Sequence, residues 1–304
     1  MSKEFRSGFV TIIGRPNVGK STLMNFFIGE KISIISPKPQ TTRNRIRTIL
    51  SGSDYQIIFV DTPGIHKSTT KLGDFMNKAV KYALDEADAI IYMVEPREKI
   101  HADDAMIIQS LEHVKTPVFL AINKVDTVEK PVLLKVIDVY AKQYDFEGIV
   151  PLSALKGENT DGLLDGIIRV LPEGPMFFPE DQITDQPERA IAAEIIREKA
   201  LSYLQEEIPH GIAVEITTMK PRSGNEDDPH TIYDVGATLY CERDSHKAII
   251  IGKRGDMLKK IGTAARHDIQ RLIGTPVFLE LWVKVKKNWR DSDFLLKNFG
   301  YTEQ

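Results

Sequence analysis

In the first half of the chain, apolar residues fall into short continuous runs at residues 9–13, 56–61, 89–95 and 117–123, each closed by Gly, Pro or charged residues. Runs of this length predict strands buried on both faces. Residues 20–27, 71–88, 103–113, 133–144 and 163–171 instead space their apolar positions by three and four, which predicts helices. Strands alternating with helices predict an α/β domain over residues 1–172, with a mostly parallel sheet covered on both faces. In such sheets ligands bind at the loops that follow the carboxyl ends of strands.

The alternation stops at Leu171. Pro172, Gly174, Pro175, Pro179 and Pro187, with acidic residues between them, predict an interdomain linker over residues 173–186. A second pattern fills residues 187–304. It comprises a helix at 188–207, strands at 213–218 and 232–242, two helices joined by a tight turn, and a strand at 277–285. This order predicts a smaller α+β domain. The polar residues 220–230 read as a hairpin loop.

Charge sharpens the division. The 304 residues carry a net charge of −3, but residues 246–297 hold 12 Lys and Arg against 5 Asp and Glu, leaving 28 against 38 elsewhere. A local balance of +7 on a chain otherwise at −10 points to a polyanion met by the C-terminal part. The single cysteine, Cys241, excludes an internal disulfide framework and fits a reducing compartment. MSKEFRSGFV lacks the apolar core of a signal peptide, and no run of about 18 apolar residues is present to span a bilayer. A cytosolic protein is expected.

The chemistry lies in ordered motifs. Gly14, Arg15, Pro16, Asn17, Val18, Gly19, Lys20 and Ser21 follow a strand and open a helix, the setting in which GxxxxGK[ST] cradles phosphate. Backbone N–H groups curl around phosphate oxygens there, Lys20 reaches the β- and γ-phosphates, and the Ser21 hydroxyl binds Mg²⁺. Asp61, Thr62, Pro63 and Gly64 close a later strand, where Asp61 reaches Mg²⁺ through water and the Gly64 N–H senses the γ-phosphate. Asn123, Lys124 and Asp126 follow a further strand. A carboxylate at Asp126 accepts from guanine N1–H and the exocyclic amine, donors that adenine does not offer in that geometry. Ser153, Ala154 and Leu155 supply backbone for the guanine O6. Thr41 and Thr42 both fall where a switch threonine would close on Mg²⁺; spacing leaves the two open, with Thr42 preferred. Ile65 stands where a water-orienting glutamine is common, so slow hydrolysis is expected.

In the basic part, Gly252, Lys253, Arg254 and Gly255 form a GxxG turn between an apolar segment and a helix bearing Lys259, Lys260, Arg266 and Arg271. A basic strand is expected at 284–290. Such a turn clamps single-stranded nucleic acid in a KH module. Alternatives remain: a basic domain that docks to membrane or protein, or a GTPase supporting RNA modification, although only Cys241 offers a thiol for such chemistry.

GRPNVGKS, PQTTR, DTPGIH, NKVD and SALKGEN, followed by ERDSHKAIIIGKRGDMLKKIG and FLELWVKVKKNWR, resemble the bacterial Era GTPases over nearly the whole chain. The resemblance implies a Ras-like P-loop GTPase domain joined to a type II KH domain. It implies binding of the 16S rRNA 3′ region and a role in 30S subunit maturation. It further implies a monomer in the cytoplasm with partial peripheral attachment to the inner face of the cell membrane. GTP or GDP would lie on residues 14–21 with Thr22, on the DTPG segment, and on Asn123, Lys124, Asp126 and the Ser153–Ala154–Leu155 backbone. Lys20, Thr42 and Gly64 would serve hydrolysis. Mg²⁺ would lie on Ser21 and Thr42, with Asp61 through water, and K⁺ beside Asn17. RNA would meet Gly252, Lys253, Arg254, Gly255, Lys259 and Lys260. Arg254 departs from the GKGG of the family pattern, and residues 220–230 are longer than its minimum.

Overall fold

The computed structural model describes residues 4–34, 41–64, 69–205, 208, 211–223 and 231–301. Ile65, the Pro and Gln ahead of Thr41, and residues 224–230 of the expected hairpin loop lie outside the described residues. The chain divides into two compact units, the first holding most of the described residues up to Asp185 and the second those from Gln186 onward.

The first unit is built on a six-stranded sheet: β1 (Arg6–Gly14), β2 (Ile46–Ser51), β3 (Tyr55–Asp61), β4 (Ala89–Val94), β5 (Val118–Ile122) and β6 (Gly148–Pro151). Their order is β2-β3-β1-β4-β5-β6, and only β2 runs antiparallel to its neighbour. All six residues of β4 are buried, as a strand covered on both faces requires. On one face Tyr92, Val94 and Ile122 pack against α2 (Lys71–Asp85), α3 (Ala102–Leu111) and α4 (Lys130–Ala141) through Val80, Ile107, Ile108, Val136 and Tyr140. The remaining helices of this unit are α1 (Lys20–Ile28) and α5 (Thr160–Val170). On α1, Phe27 stacks on Phe59 of β3 at 5.2 Å. The expected strands and helices are present. Two further strands lie outside the expected apolar runs: β2, an edge strand, and β6, only four half-buried residues ending in proline.

Residues 173–185 are no free tether. The buried Gln56 amide donates to the Phe178 carbonyl at 2.9 Å and accepts from the Phe177 and Phe178 N–H groups at 2.7 and 3.0 Å. Ile49 N–H donates to Ile183 O at 2.9 Å and Thr184 Oγ1 to Arg47 O at 2.7 Å, so the strap extends the sheet beyond its β2 edge. Prolines that stop a helix suit an extended strap of this kind.

The second unit has the order α6 (Glu188–Tyr203), β7 (Ala213–Pro221), β8 (Tyr233–Cys241), α7 (Asp244–Ile251), α8 (Asp256–Ile273), β9 (Val277–Val285) and α9 (Asp293–Asn298). Strands β7 and β8 are antiparallel, β8 and β9 parallel, and α6 and α8 pack together. This is the arrangement expected of a type II KH domain. The expected basic strand at 284–290 is shorter than its charge suggested. It ends at Val285, after which Asn288 turns left-handed at φ 53° and the fully buried Trp289 donates Nε1–H to Gly211 O at 2.9 Å. An indole that needs both burial and a hydrogen-bond acceptor takes the chain out of the sheet.

Candidate functional site

Three loops at the carboxyl ends of β1, β3 and β5 meet through backbone and side chain. The loop after β1 needs glycine at two points. Gly14 sits at φ 149°, where a Cβ would lie 2.4 Å from Met93 O, and Gly19 at φ 109°, where a Cβ would lie 2.2 Å from Asn123 Nδ2. Asn123 itself is 3% exposed; its Nδ2 donates to Val18 O at 2.8 Å and its Oδ1 accepts from Ala154 N–H at 2.9 Å. The Asn123 side chain therefore frames the loops after β1 and β6. Val18 and Ala154 are buried, so they contribute backbone to the site.

Lys20 is 7% exposed and donates to the carbonyls of Gly14 at 3.0 Å and Arg15 at 3.1 Å. Burial lowers its ammonium to about 8, against the opposing pull of Asp61. A buried cation held by the loop's own carbonyls at the start of a helix is placed to meet a polyanion. Thr22 is half-buried in the first turn of α1.

Ser21 Oγ donates to Asp61 Oδ2 at 2.7 Å, Thr42 Oγ1 donates to the same oxygen at 3.3 Å, and the two hydroxyls are 3.3 Å apart. Burial raises the Asp61 carboxyl, although Lys20 and the hydroxyls oppose it, and its Oδ1 is buried with no hydrogen-bond partner among the described residues. Two hydroxyls and a carboxylate with one unsatisfied buried oxygen fit a hard divalent cation that keeps water and phosphate in its remaining positions. Of the two threonines left open by spacing, it is Thr42 whose hydroxyl joins this cluster. Thr62 does different work: its Oγ1 donates to Ile12 O at 2.7 Å and ties β3 to β1. Pro63 is buried, and a Cβ on Gly64 would meet Pro16 at 2.8 Å, so the turn after β3 lies directly on the phosphate loop.

Beyond β5, Lys124 turns left-handed at φ 65°, and its Nζ donates to Asn17 O at 2.8 Å and to Glu95. A hydrogen bond from Ser153 is the main cause that lowers the Asp126 carboxyl, assisted by Lys156, whose Nζ is 3.7 Å away. An ionised Asp126 is acceptor-only, as guanine recognition requires. Leu155 is 79% exposed beside this segment, an apolar surface suited to the face of a base.

Sequence reading missed Glu95 and Asp104. Glu95 follows β4, the position the strand-end rule marks, yet it stands outside every named motif. Burial alone would raise its carboxyl, but Lys124, Arg97 and Arg15 hold it below the usual carboxylate range.

In the second unit, Gly252 adopts φ 75°, and a Cβ there would meet Met257 at 2.7 Å; Gly255 adopts φ 84° over open space and caps α8. Arg254 between them is also left-handed at φ 54°. The departure from glycine thus falls where glycine is conformationally preferred. Arg254→Gly is expected to raise thermal stability slightly, by up to about 1 kcal/mol from relieved backbone strain, which melting curves check. Lys259 and Lys260 border a 380 Å³ concavity with the half-exposed ring of Tyr203, Asp256, Thr263 and Ala264.

Family models match at two places: "50S ribosome-binding GTPase" at residues 9–124 and "KH domain" at residues 207–290. GTPase Era of Ruminiclostridium cellulolyticum is 54% identical over 297 residues, 98% of each chain. GTPase Era of Clostridioides difficile is 54% identical over 301 residues, 99% of this chain and 100% of that one. Two solved structures each have a TM-score of 0.93 and cover 98% of this chain and 100% of their own. One is an Aquifex aeolicus Era variant bound to GDP·AlF4⁻, 42% identical. The other is Era with MgGDPNP and nucleotides 1506–1542 of 16S ribosomal RNA, 43% identical. Among the described residues no helix is long and apolar enough to cross a membrane.

Proposed function

The chain belongs to the Era family of GTPases, and we propose from that premise that it is a GTP-driven switch holding single-stranded RNA near the 3′ end of 16S rRNA. By the same reading it supports assembly of the small ribosomal subunit. One observation carries this: a full guanine-nucleotide constellation and a GxxG turn with two left-handed glycines occur in one chain. A relative of 43% identity holding MgGDPNP and 16S RNA together supports it.

In this reading the phosphate loop from Gly14 to Ser21, with Thr22, holds the phosphates, and Asp126 with Lys124 and Leu155 holds the guanine. Ser21, Thr42 and, through water, Asp61 would hold Mg²⁺, which would supply positive charge to offset that of the phosphates. Lys20 withdraws charge from the γ-phosphate, while the Gly64 N–H, close beside Pro16 of the phosphate loop, offers it a donor. A γ-phosphate favours the closed positions of Thr42 and Gly64, and hydrolysis releases them. The RNA contacts fall to Lys253, Arg254, Lys259 and Lys260 around the GxxG backbone. K⁺ beside Asn17, contact with the 30S subunit, a monomeric state and peripheral membrane attachment belong to the same proposal.

Ile65 has no hydrogen-bonding group with which to orient water, so turnover by the chain alone is slow. Single-turnover hydrolysis of saturating GTP is expected at about 10⁻³ s⁻¹ or below, the range of a GTPase without its activator. A rate approaching 1 s⁻¹ without a partner would contradict this timer-like reading.

A further inference from the structure

Two carboxylates outside the nucleotide motifs grip the phosphate loop from its outer side. Asp104, on α3 and 1% exposed, accepts from Arg15 Nε at 2.8 Å. The same carboxylate accepts from the buried Tyr92 hydroxyl at 3.1 Å and lies 3.5 Å from that of Tyr140. Arg15 Nη2 continues to Glu95 Oε2 at 3.8 Å, and Glu95 Oε1 accepts from Lys124 Nζ. Lys124 Nζ returns to Asn17 O at 2.8 Å. The path leaves the phosphate loop at Arg15 and rejoins it at Asn17, passing through α3, the end of β4 and the lysine of the NKxD segment.

Such pairs at a protein surface contribute little, because two long side chains must be held still in water. Here the Arg15 and Asp104 side chains are 12% and 2% exposed, so removing one partner leaves a desolvated charge unmatched. Lys124 has a flexible stem and a rotating ammonium. Glu95 and the Asn17 carbonyl together fix where that ammonium sits.

We infer that Glu95 and Asp104 are positioning residues that join the phosphate loop and the guanine-facing lysine into one rigid element, through Arg15 and Lys124, so that base and phosphates are bound jointly. This rests on the guanine-nucleotide reading of Lys20, Lys124 and Asp126. Neither carboxylate meets the reacting atoms, so its loss weakens ground state and transition state alike: KM rises and kcat holds.

The test uses the full chain, a fluorescent GDP analogue and GTP hydrolysis across a range of GTP concentrations. Glu95→Gln and Asp104→Asn keep side-chain volume and remove charge. Each is expected to raise the Kd for GDP about tenfold, as loss of one charge-assisted hydrogen bond does, mainly through faster release. In both, kcat stays within about twofold of the parent while KM rises. Combining Asp104→Asn with Arg15→Gln should cost clearly less than the sum of the two single changes, because both break the Arg15–Asp104 contact. A parent chain that fails to bind GDP defeats the nucleotide reading itself. A binding parent whose Glu95→Gln variant binds GDP equally well overturns the inference, as do a kcat that falls in step with kcat/KM and additive losses at Arg15 and Asp104. Should Asp104→Asn fail to fold, Glu95→Gln, at a site already partly open to solvent, decides alone.

Discussion

Asp126→Asn is expected to weaken binding of guanine nucleotides on the order of a hundredfold and to favour xanthine nucleotides in their place. The Ser153 hydrogen bond and the nearby Lys156 hold the Asp126 carboxyl below its usual range, so both oxygens accept. Guanine presents two donors, N1–H and the exocyclic amine, to that pair. An asparagine exchanges one acceptor for an NH₂ donor, which opposes the guanine amine but matches the carbonyl that xanthine carries there. Competition titrations with GDP, XDP and ADP read the exchange directly. Unchanged preference for GDP would remove Asp126 from the base site. A gain for ADP would show that adenine is excluded by something other than this carboxylate.

Gly255→Asp should abolish most RNA affinity, by at least about tenfold, while leaving fold and GTP binding in place. The position has open space for a side chain, so the change creates no overlap. Its left-handed backbone at φ 84° disfavours a residue with a Cβ by about 1 kcal/mol, and a carboxylate at the N-cap of α8 offsets part of that by favouring the helix N-terminus. What remains is a negative charge set where a phosphate backbone must approach closely. Gly252→Ala is the contrasting change, because its Cβ would meet Met257 at 2.7 Å and the turn itself would shift. RNA titration and thermal unfolding of both variants distinguish lost contact from lost structure. Full RNA affinity in Gly255→Asp would remove the GxxG turn from the RNA surface.

Much of this architecture was legible because the signals are local. Residues 89–95 read as a doubly covered strand from their unbroken apolar run, and β4 is fully buried. The motifs were legible for the same reason: GxxxxGK[ST] and NKxD are short and fall at strand ends. What escaped depends on partners far apart in the chain. Gln56 pins Phe177 and Phe178 from 121 and 122 residues away, so the packing of the proline-rich linker as a strap was not legible. Arg15 and Asp104 are 89 residues apart, and neither spacing nor composition marks them as a pair. That the Thr42 hydroxyl lies beside Ser21 and Asp61 likewise needed the third dimension. At Trp289 local charge misled: a run of lysines read as strand, while burial of one indole turned the chain aside.

The central claim is that nucleotide state governs a grip on the 3′ end of 16S rRNA. Its most direct test is fluorescence anisotropy of a labelled RNA covering that end, titrated with the purified full chain loaded with Mg²⁺ and either GDPNP or GDP at physiological salt. The account predicts affinities that differ by about tenfold between the two nucleotide states, within the usual range of coupling between two sites on one protein. It also predicts weaker binding to an unrelated single strand of equal length. Equal affinity in the two nucleotide states, or equal affinity for the unrelated strand, would contradict it.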